Sequence, residues 1–366
     1  MGRAANAGGA LRGLGRRIAT AACLMASMMS TVAVAQAPAK LPADRWVLIY
    51  SGGPSRPHYS VDDLVHTVAV TDTLGQPTGW LMNGAILLEL TAQSGRHYVP
   101  AASGSPSSGT DWSDFLDSIY ATNGTVARLD SAVEVVERAA GALPNGFVVV
   151  QMIPYPNPSG AAVKIRDHSY NLAVDKERDE AVSAFVEASI KRFQTLSPTH
   201  LHLDGFYWLN EGAQLPDTAL IHRVATSLHQ RGLRFYWIPA YGAKNATNWK
   251  SLGFDAAWQQ PNYFFHSEIP QTRIDSAIAI ARASGMGLEL EFDRRLLGSS
   301  SAFWDRLSPY LSALETAPDL RGLPITVYEG GGGLMQLSRV RQGWRHDLYL
   351  RLVQVLTEPA VTTATQ

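Results

Sequence analysis

The chain has almost no cysteine. Of 366 residues the single one is Cys23, inside an N-terminal apolar run, so the remainder can form no disulfide, hold no metal through thiolate and use no cysteine nucleophile. Charge is sparse and balanced, with 31 Lys and Arg against 32 Asp and Glu. No basic stripe is present to follow a phosphate backbone, which argues against nucleic acid as a partner. Three signatures are also missing. No G-x-G-x-x-G follows the first apolar run, where Ser51-Gly52-Gly53-Pro54 makes a tight turn whose proline donates nothing to a phosphate. A G-x-S-x-G elbow and an H-E-x-x-H helix are equally absent, so serine hydrolase and zincin chemistry have no support.

What is present begins with an export signal. Arg3, Arg12, Arg16 and Arg17 precede an acid-free apolar run over 18–34 and the small-residue pattern Ala35-Gln36-Ala37. This reads as a signal peptide over 1–37, since the run is short for a membrane span and ends in a cleavage site. The expected product is periplasmic or secreted, without membrane attachment after cleavage. A mobile lead-in is expected over 38–45, one folded domain over 46–358 and a disordered tail over 359–366. Hydrophobic residues at 46% supply enough material for one large core.

Apolar runs rich in aromatic and β-branched residues fall at 46–51, 79–90, 147–154, 200–207, 234–240, 254–259, 287–292 and 323–328. Each is near-continuously apolar, as strands covered on both faces must be. Helical spacing appears over 131–143, 179–196, 216–230, 273–283, 301–314 and 341–356. The stretch 91–113 is rich in Ser, Gly and Pro and predicts a long mobile loop. Strands alternating with helices in this number predict an α/β fold, a single (β/α)8 TIM barrel, with its site where the strands end.

Four strand ends carry acids. Asp204 and Asn210-Glu211 follow strand four, Glu289, Glu291 and Asp293 alternate along strand seven, Glu329 ends strand eight, and Glu89 ends strand two. Hydrolysis of a glycosidic bond needs one carboxylic acid to protonate the leaving oxygen and a second carboxylate to attack or to activate water. The sequence reading takes Asp204 or Glu211 as the acid and Glu291 as nucleophile or base, with Glu289 and Asp293 in support. For strand seven the competing reading is a structural ion-pair network with Arg294 or Arg295.

Aromatic residues gather at the same ends: Tyr50, Tyr207, Trp208, Trp237, Tyr241, Trp258, Tyr263, Phe264 and Tyr328. Sugar rings present C–H faces that pack on aromatic faces, while Asn83, Gln259, Gln260 and Asn262 offer hydrogen bonds to hydroxyls. A polysaccharide or oligosaccharide is therefore the expected substrate, and no cofactor is called for. His200, His202 and Asp204 alternate along strand four and admit a metal-dependent deacetylase or hydrolase as a further alternative; core histidines are the favoured reading, so no metal site is assigned. A barrel that binds glycan without cleaving it is the other alternative.

The motifs Leu203-Asp204-Gly205-Phe206-Tyr207-Trp208, Ile238-Pro239-Ala240-Tyr241, Gln260-Pro261-Asn262-Tyr263-Phe264-Phe265 and the Glu291-Phe292-Asp293 end of strand seven occur in order. With them the chain resembles the bacterial domain of unknown function 4855. That resemblance implies a glycoside-hydrolase-type barrel associated with polysaccharide breakdown, and it carries over no catalytic residue. Tyr328-Glu329 departs from the Tyr-Tyr expected in the family.

Overall fold

Eight parallel strands close on themselves in the computed structural model, in the cyclic order first, eighth, seventh, sixth, fifth, fourth, third, second. They are β1 (Arg45–Tyr50), β2 (Gly84–Leu88), β3 (Phe147–Ile153), β4 (Leu201–Trp208), β5 (Arg234–Trp237), β6 (Ala256–Gln259), β7 (Gly287–Glu291) and β8 (Ile325–Tyr328). The structure describes residues 40–358 apart from 101–103, 215–216, 318–319 and 321. The proposed signal peptide and the tail lie outside the described residues. Closure is set by β1, where Leu48 lies opposite Tyr328 on one side and Ile86 on the other. The (β/α)8 barrel is thus the fold.

The helices are α1 (Val61–Val68), α2 (Asp111–Ile119), α3 (Thr125–Ala140), α4 (Asp175–Leu196), α5 (Asp217–His229), α6 (Thr272–Ser284), α7 (Ser308–Thr316), α8 (Gly333–Ser338) and α9 (Trp344–Thr357). Between β5 and β6 only a 3-10 turn, Ala246–Asn248, appears. Three short helices escape the periodicity reading because each offers barely two turns. One is α1, whose start is held by a reciprocal Ser60 and Asp63 capping box. Another is α8, and the third is α2, whose first residues fall at the end of the stretch read as a loop. The described part of that loop is tied down: Arg96 pairs with Asp111 at 2.7 Å, and Tyr98 Oη donates to Asp111 O at 2.8 Å.

The lower barrel is filled by rings. Trp46, Tyr236 and Trp258 meet at centroid distances of 5.4 to 5.8 Å. Room for them comes from Gly84 and Gly287, where a Cβ would stand 2.5 Å from Trp46 and 2.3 Å from Trp258. The barrel is therefore a packed core below and open only above.

One irregularity decides what β4 presents. Val149 of β3 lies opposite Leu203, yet its neighbour Val150 lies opposite Gly205, so Asp204 is an extra residue, a β-bulge. A bulge reverses the side-chain alternation of everything after it. Tyr207 consequently faces the barrel interior, while Trp208 packs outside against Tyr155 and Phe235 at 6.3 and 6.2 Å. Gly205 permits the close strand approach, since a Cβ there would fall 2.0 Å from the Arg234 carbonyl oxygen.

Candidate active site

At the C-terminal end of the strands the barrel opens into a cavity of about 230 Å³. Its apolar wall is Leu48, Leu88, Leu90, Leu209 and Phe265; its polar lining is Tyr50, Tyr207, Tyr328, Gln260, Asn262, Glu211 and Glu289. Tyr50 and Tyr328 pack edge-on at 5.4 Å, and Phe265 packs on Tyr328 at 5.1 Å. Arg56 caps this side, its guanidinium 4.3 Å over Tyr50 and its Nε 3.2 Å from both oxygens of Glu89.

Glu289 and Glu211 are the two acids that line the cavity. Glu289 projects inward from β7 and is buried, and nothing among the described residues donates to its carboxyl. Burial pushes its pKa well up, and the neighbouring charges of Glu291 and Glu211 push in the same direction. Glu211 sits on the loop after β4, where Gly212 N donates to Asn210 Oδ1 at 3.1 Å and Trp237 Nε1 donates to Asn210 O at 2.9 Å. It is open to solvent yet stands in a recess. The surrounding protein raises its pKa and a hydrogen bond from Gln260 opposes the rise. Protonation is thus favoured more strongly at Glu289 than at Glu211.

Glu291 is placed elsewhere than the sequence reading puts it. It is completely buried, accepting from Asn262 N at 2.8 Å, Tyr263 N at 2.9 Å and the Tyr310 hydroxyl. Its pKa is raised by burial, against these hydrogen bonds. A carboxylate so held fixes the loop after β6, and with it Gln260 and Asn262 of the cavity wall, and it does not itself line the cavity. Asp204 is corrected in the same way. It lies within β4, below the cavity, and accepts from Arg234 and from the Tyr236 hydroxyl.

Of the expected binding residues, the structure brings Tyr50, Tyr207, Gln260, Asn262 and Tyr328 together in the cavity. The others go elsewhere. Asn83 lies below the start of β2, accepting from Asp44 N and Arg45 N at 3.1 and 2.9 Å. Trp208 and Trp237 are buried outside the strands, the latter stacked on Phe254 at 5.0 Å. Tyr263 packs on Tyr310 under Arg306, and Tyr241 lies beneath Arg273 at 4.0 Å. Asp293 pairs with Arg295 at 2.8 Å and accepts from Arg295 N, the structural ion-pair alternative for this acid. Glu329 is wholly buried. It accepts from Tyr59 Oη at 3.0 Å and from the amides of Gly331, Gly332 and Leu334, and burial raises its pKa to about 7.

His200 Nδ1 meets Glu137 at 2.6 Å and His202 is exposed, so neither converges with Asp204. Among the described residues no group of three or more His, Cys, Asp or Glu side chains is arranged to hold a metal ion. Nor is any described helix long and apolar enough to cross a membrane. The apolar wall and the placement of Glu289 over Glu291 were missed. The period-two pattern put both acids on the inner face, and only the returning loop after β6 separates their roles.

The family model described as "Domain of unknown function (DUF4855)" matches residues 45–354. No curated protein matches. Among solved structures, a GH18 chitinase from Flavobacterium johnsoniae is similar at TM-score 0.42 and 11% identity, covering 85% of this chain and 93% of that one. Dispersin B is similar at TM-score 0.42 and 10% identity, covering 86% and 97%. A mutant tryptophan synthase α-subunit from Pyrococcus furiosus reaches TM-score 0.37 at 10% identity, covering 86% and 97%. Likenesses this distant bear on neither substrate nor mechanism.

Proposed function

The chain belongs to the DUF4855 family, and from the geometry of its barrel mouth we propose that it is an exported glycoside hydrolase working through Glu211 and Glu289. The observation that carries this reading is that two carboxyl groups without a cationic partner face one tyrosine-lined cavity, each with its pKa raised. Titratable groups pushed apart in one cleft mark an acid and a base. Glu289, the more strongly raised, holds the proton. It passes that proton to the glycosidic oxygen as the C–O bond breaks, so the leaving sugar departs as a neutral alcohol. Glu211, ionised first, takes a proton from the water that attacks the anomeric carbon, or attacks that carbon itself to form a glycosyl ester that water then cleaves, giving its proton to Glu289. Tyr50, Tyr207 and Tyr328 offer hydroxyls and ring faces to the sugar bound between them. The N-terminal leader supports export towards extracellular glycan.

The rate should be bell-shaped in pH, lost on the acid side as Glu211 is protonated and on the alkaline side as Glu289 ionises. The decisive experiment is a screen of polysaccharides and aryl glycosides with the wild type beside Glu211→Gln and Glu289→Gln. Turnover that both substitutions abolish supports the assignment; turnover that persists in Glu289→Gln sinks it. Binding with no turnover in any variant would instead favour a glycan-binding barrel, a reading that the tyrosine-lined cavity also supports.

A further inference from the structure

Two tryptophans stand at the rim of the mouth, outside the cavity lining. Trp304 lies in the connection from β7 to α7 and Trp344 opens α9 after β8, so both belong to segments leaving the C-terminal ends of strands. Their ring centroids are 6.0 Å apart, with the planes tilted by 43°. Trp344 is 41% exposed, and among the exposed large hydrophobic side chains it is the aromatic one. Leaving an indole in water forgoes the free energy of burying it. Yet these rings are held in place. Trp304 Nε1 donates to Gly298 O at 2.8 Å. The Arg345 guanidinium, which donates to Leu296 O and Gly298 O at 3.4 and 3.2 Å, lies 5.5 Å from the Trp304 ring centroid and 4.6 Å from that of Trp344.

A ridge of rings and guanidinium groups joins this pair to the cavity. Phe303, next to Trp304, takes the Arg295 guanidinium at 4.3 Å. The same guanidinium lies 5.6 Å from Phe265, a residue of the cavity wall. The cavity itself, about 230 Å³, falls below the roughly 300–1,000 Å³ usual for ligand pockets. A chain of sugars entering it must lie mostly outside.

We propose that Trp304 and Trp344 form a distal saccharide site, where one ring of a polysaccharide stacks on Trp344 and its hydroxyls accept from Arg345 while another unit of the chain occupies the cavity. A preorganised indole beside a guanidinium suits this ligand, offering an apolar face for C–H groups and donors for hydroxyls. The inference deepens the hydrolase reading by naming a polymer as the substrate, and it rests on that reading only for the unit in the cavity.

The test is affinity electrophoresis of the full chain in native gels containing xylan, mixed-linkage β-glucan, galactomannan, glycol chitin or dextran. Wild type, Trp344→Ala and Trp344→Phe are compared, with aryl-glycoside turnover and size-exclusion elution measured in parallel. At least one polysaccharide should retard the wild type. Trp344→Ala should weaken that binding about tenfold, the size of one lost stacking contact, and Trp344→Phe should restore most of it. Turnover of the short glycoside should stay unchanged. Equal retardation of wild type and Trp344→Ala, or no retardation by any glycan, overturns the proposal. A change of elution volume in Trp344→Ala overturns it too, making the pair a contact between copies. If retardation depends on Trp344 but no glycan or glycoside is cleaved, the distal site stands and the hydrolase reading falls.

Discussion

The lower and upper parts of the barrel treat the same chemical group differently. Asp204, below the cavity, is met by Arg234 and the Tyr236 hydroxyl beside a stack of tryptophan and tyrosine rings, whereas Glu289, at the cavity, meets like charges and no donor. An ionised carboxylate in an apolar interior is tolerated only with partners. Where partners are supplied the acid is a part of the framework, and where they are withheld it keeps its proton and is ready to give it up. Glu291 and Glu329 show that height alone does not decide: both stand at the upper end, yet each is held by backbone amides and a tyrosine hydroxyl.

The comparison is tested hardest at Glu289. Glu289→Gln is expected to lower kcat by about 10³-fold or more, while urea denaturation shows stability unchanged or raised, because the amide, unlike the carboxyl, need not take up a proton to be buried. A large loss of stability with little loss of rate would reverse the distinction. Asp204→Ala should do the opposite, costing about 3–5 kcal/mol in the same denaturation experiment by stranding Arg234 and the Tyr236 hydroxyl.

Glu329 gives a smaller effect with a definite sign. Its folded pKa of about 7 lies above the ordinary 4.5, so between those values the unfolded chain has lost a proton that the folded chain keeps. The contribution of this carboxyl to stability should therefore fall as pH rises through this window, by about 3 kcal/mol in all, and be constant above it. Melting curves from pH 4.5 to 8 should show a falling slope in the wild type that Glu329→Gln reduces by this share, the remainder belonging to Glu211, Glu289 and Glu291. Smallest is Glu291→Gln, expected to cost about 2 kcal/mol and to raise KM by loosening Gln260 and Asn262. A proton-transfer role would instead show as a collapse of kcat at unchanged KM.

Much of the fold was legible because both faces of every barrel strand are covered, which leaves continuous apolar runs that need no knowledge of neighbours. The strand ends were less so. The run 79–90 hides a break: a short antiparallel strand, Pro77–Trp80, ends before β2 begins at Gly84. Asn83 therefore lies at the bottom of the barrel rather than within a strand. The glycines after Glu329 are visible as a run, but Gly330, Gly331 and Gly332 all take positive φ, which turns the amides of Gly331, Gly332 and Leu334 onto the preceding carboxylate. The division of labour between Glu289 and Glu291 depends on a loop from another strand returning to donate its amides, which no local pattern encodes.

The bulge at Asp204 has a consequence of a different kind. It works on β4 as a single-letter insertion works on a message: everything downstream is read in the other frame. In the present frame Tyr207 is written into the cavity and Trp208 into the helical layer. Drawing Asp204 into the ladder opposite Val150 would exchange them without altering either residue, placing an indole where a phenol now stands beside Glu289, whereas deleting Asp204 would leave both where they are. The chemistry of that wall is thus governed by how the strand is paired beneath it as much as by the side chains that form it.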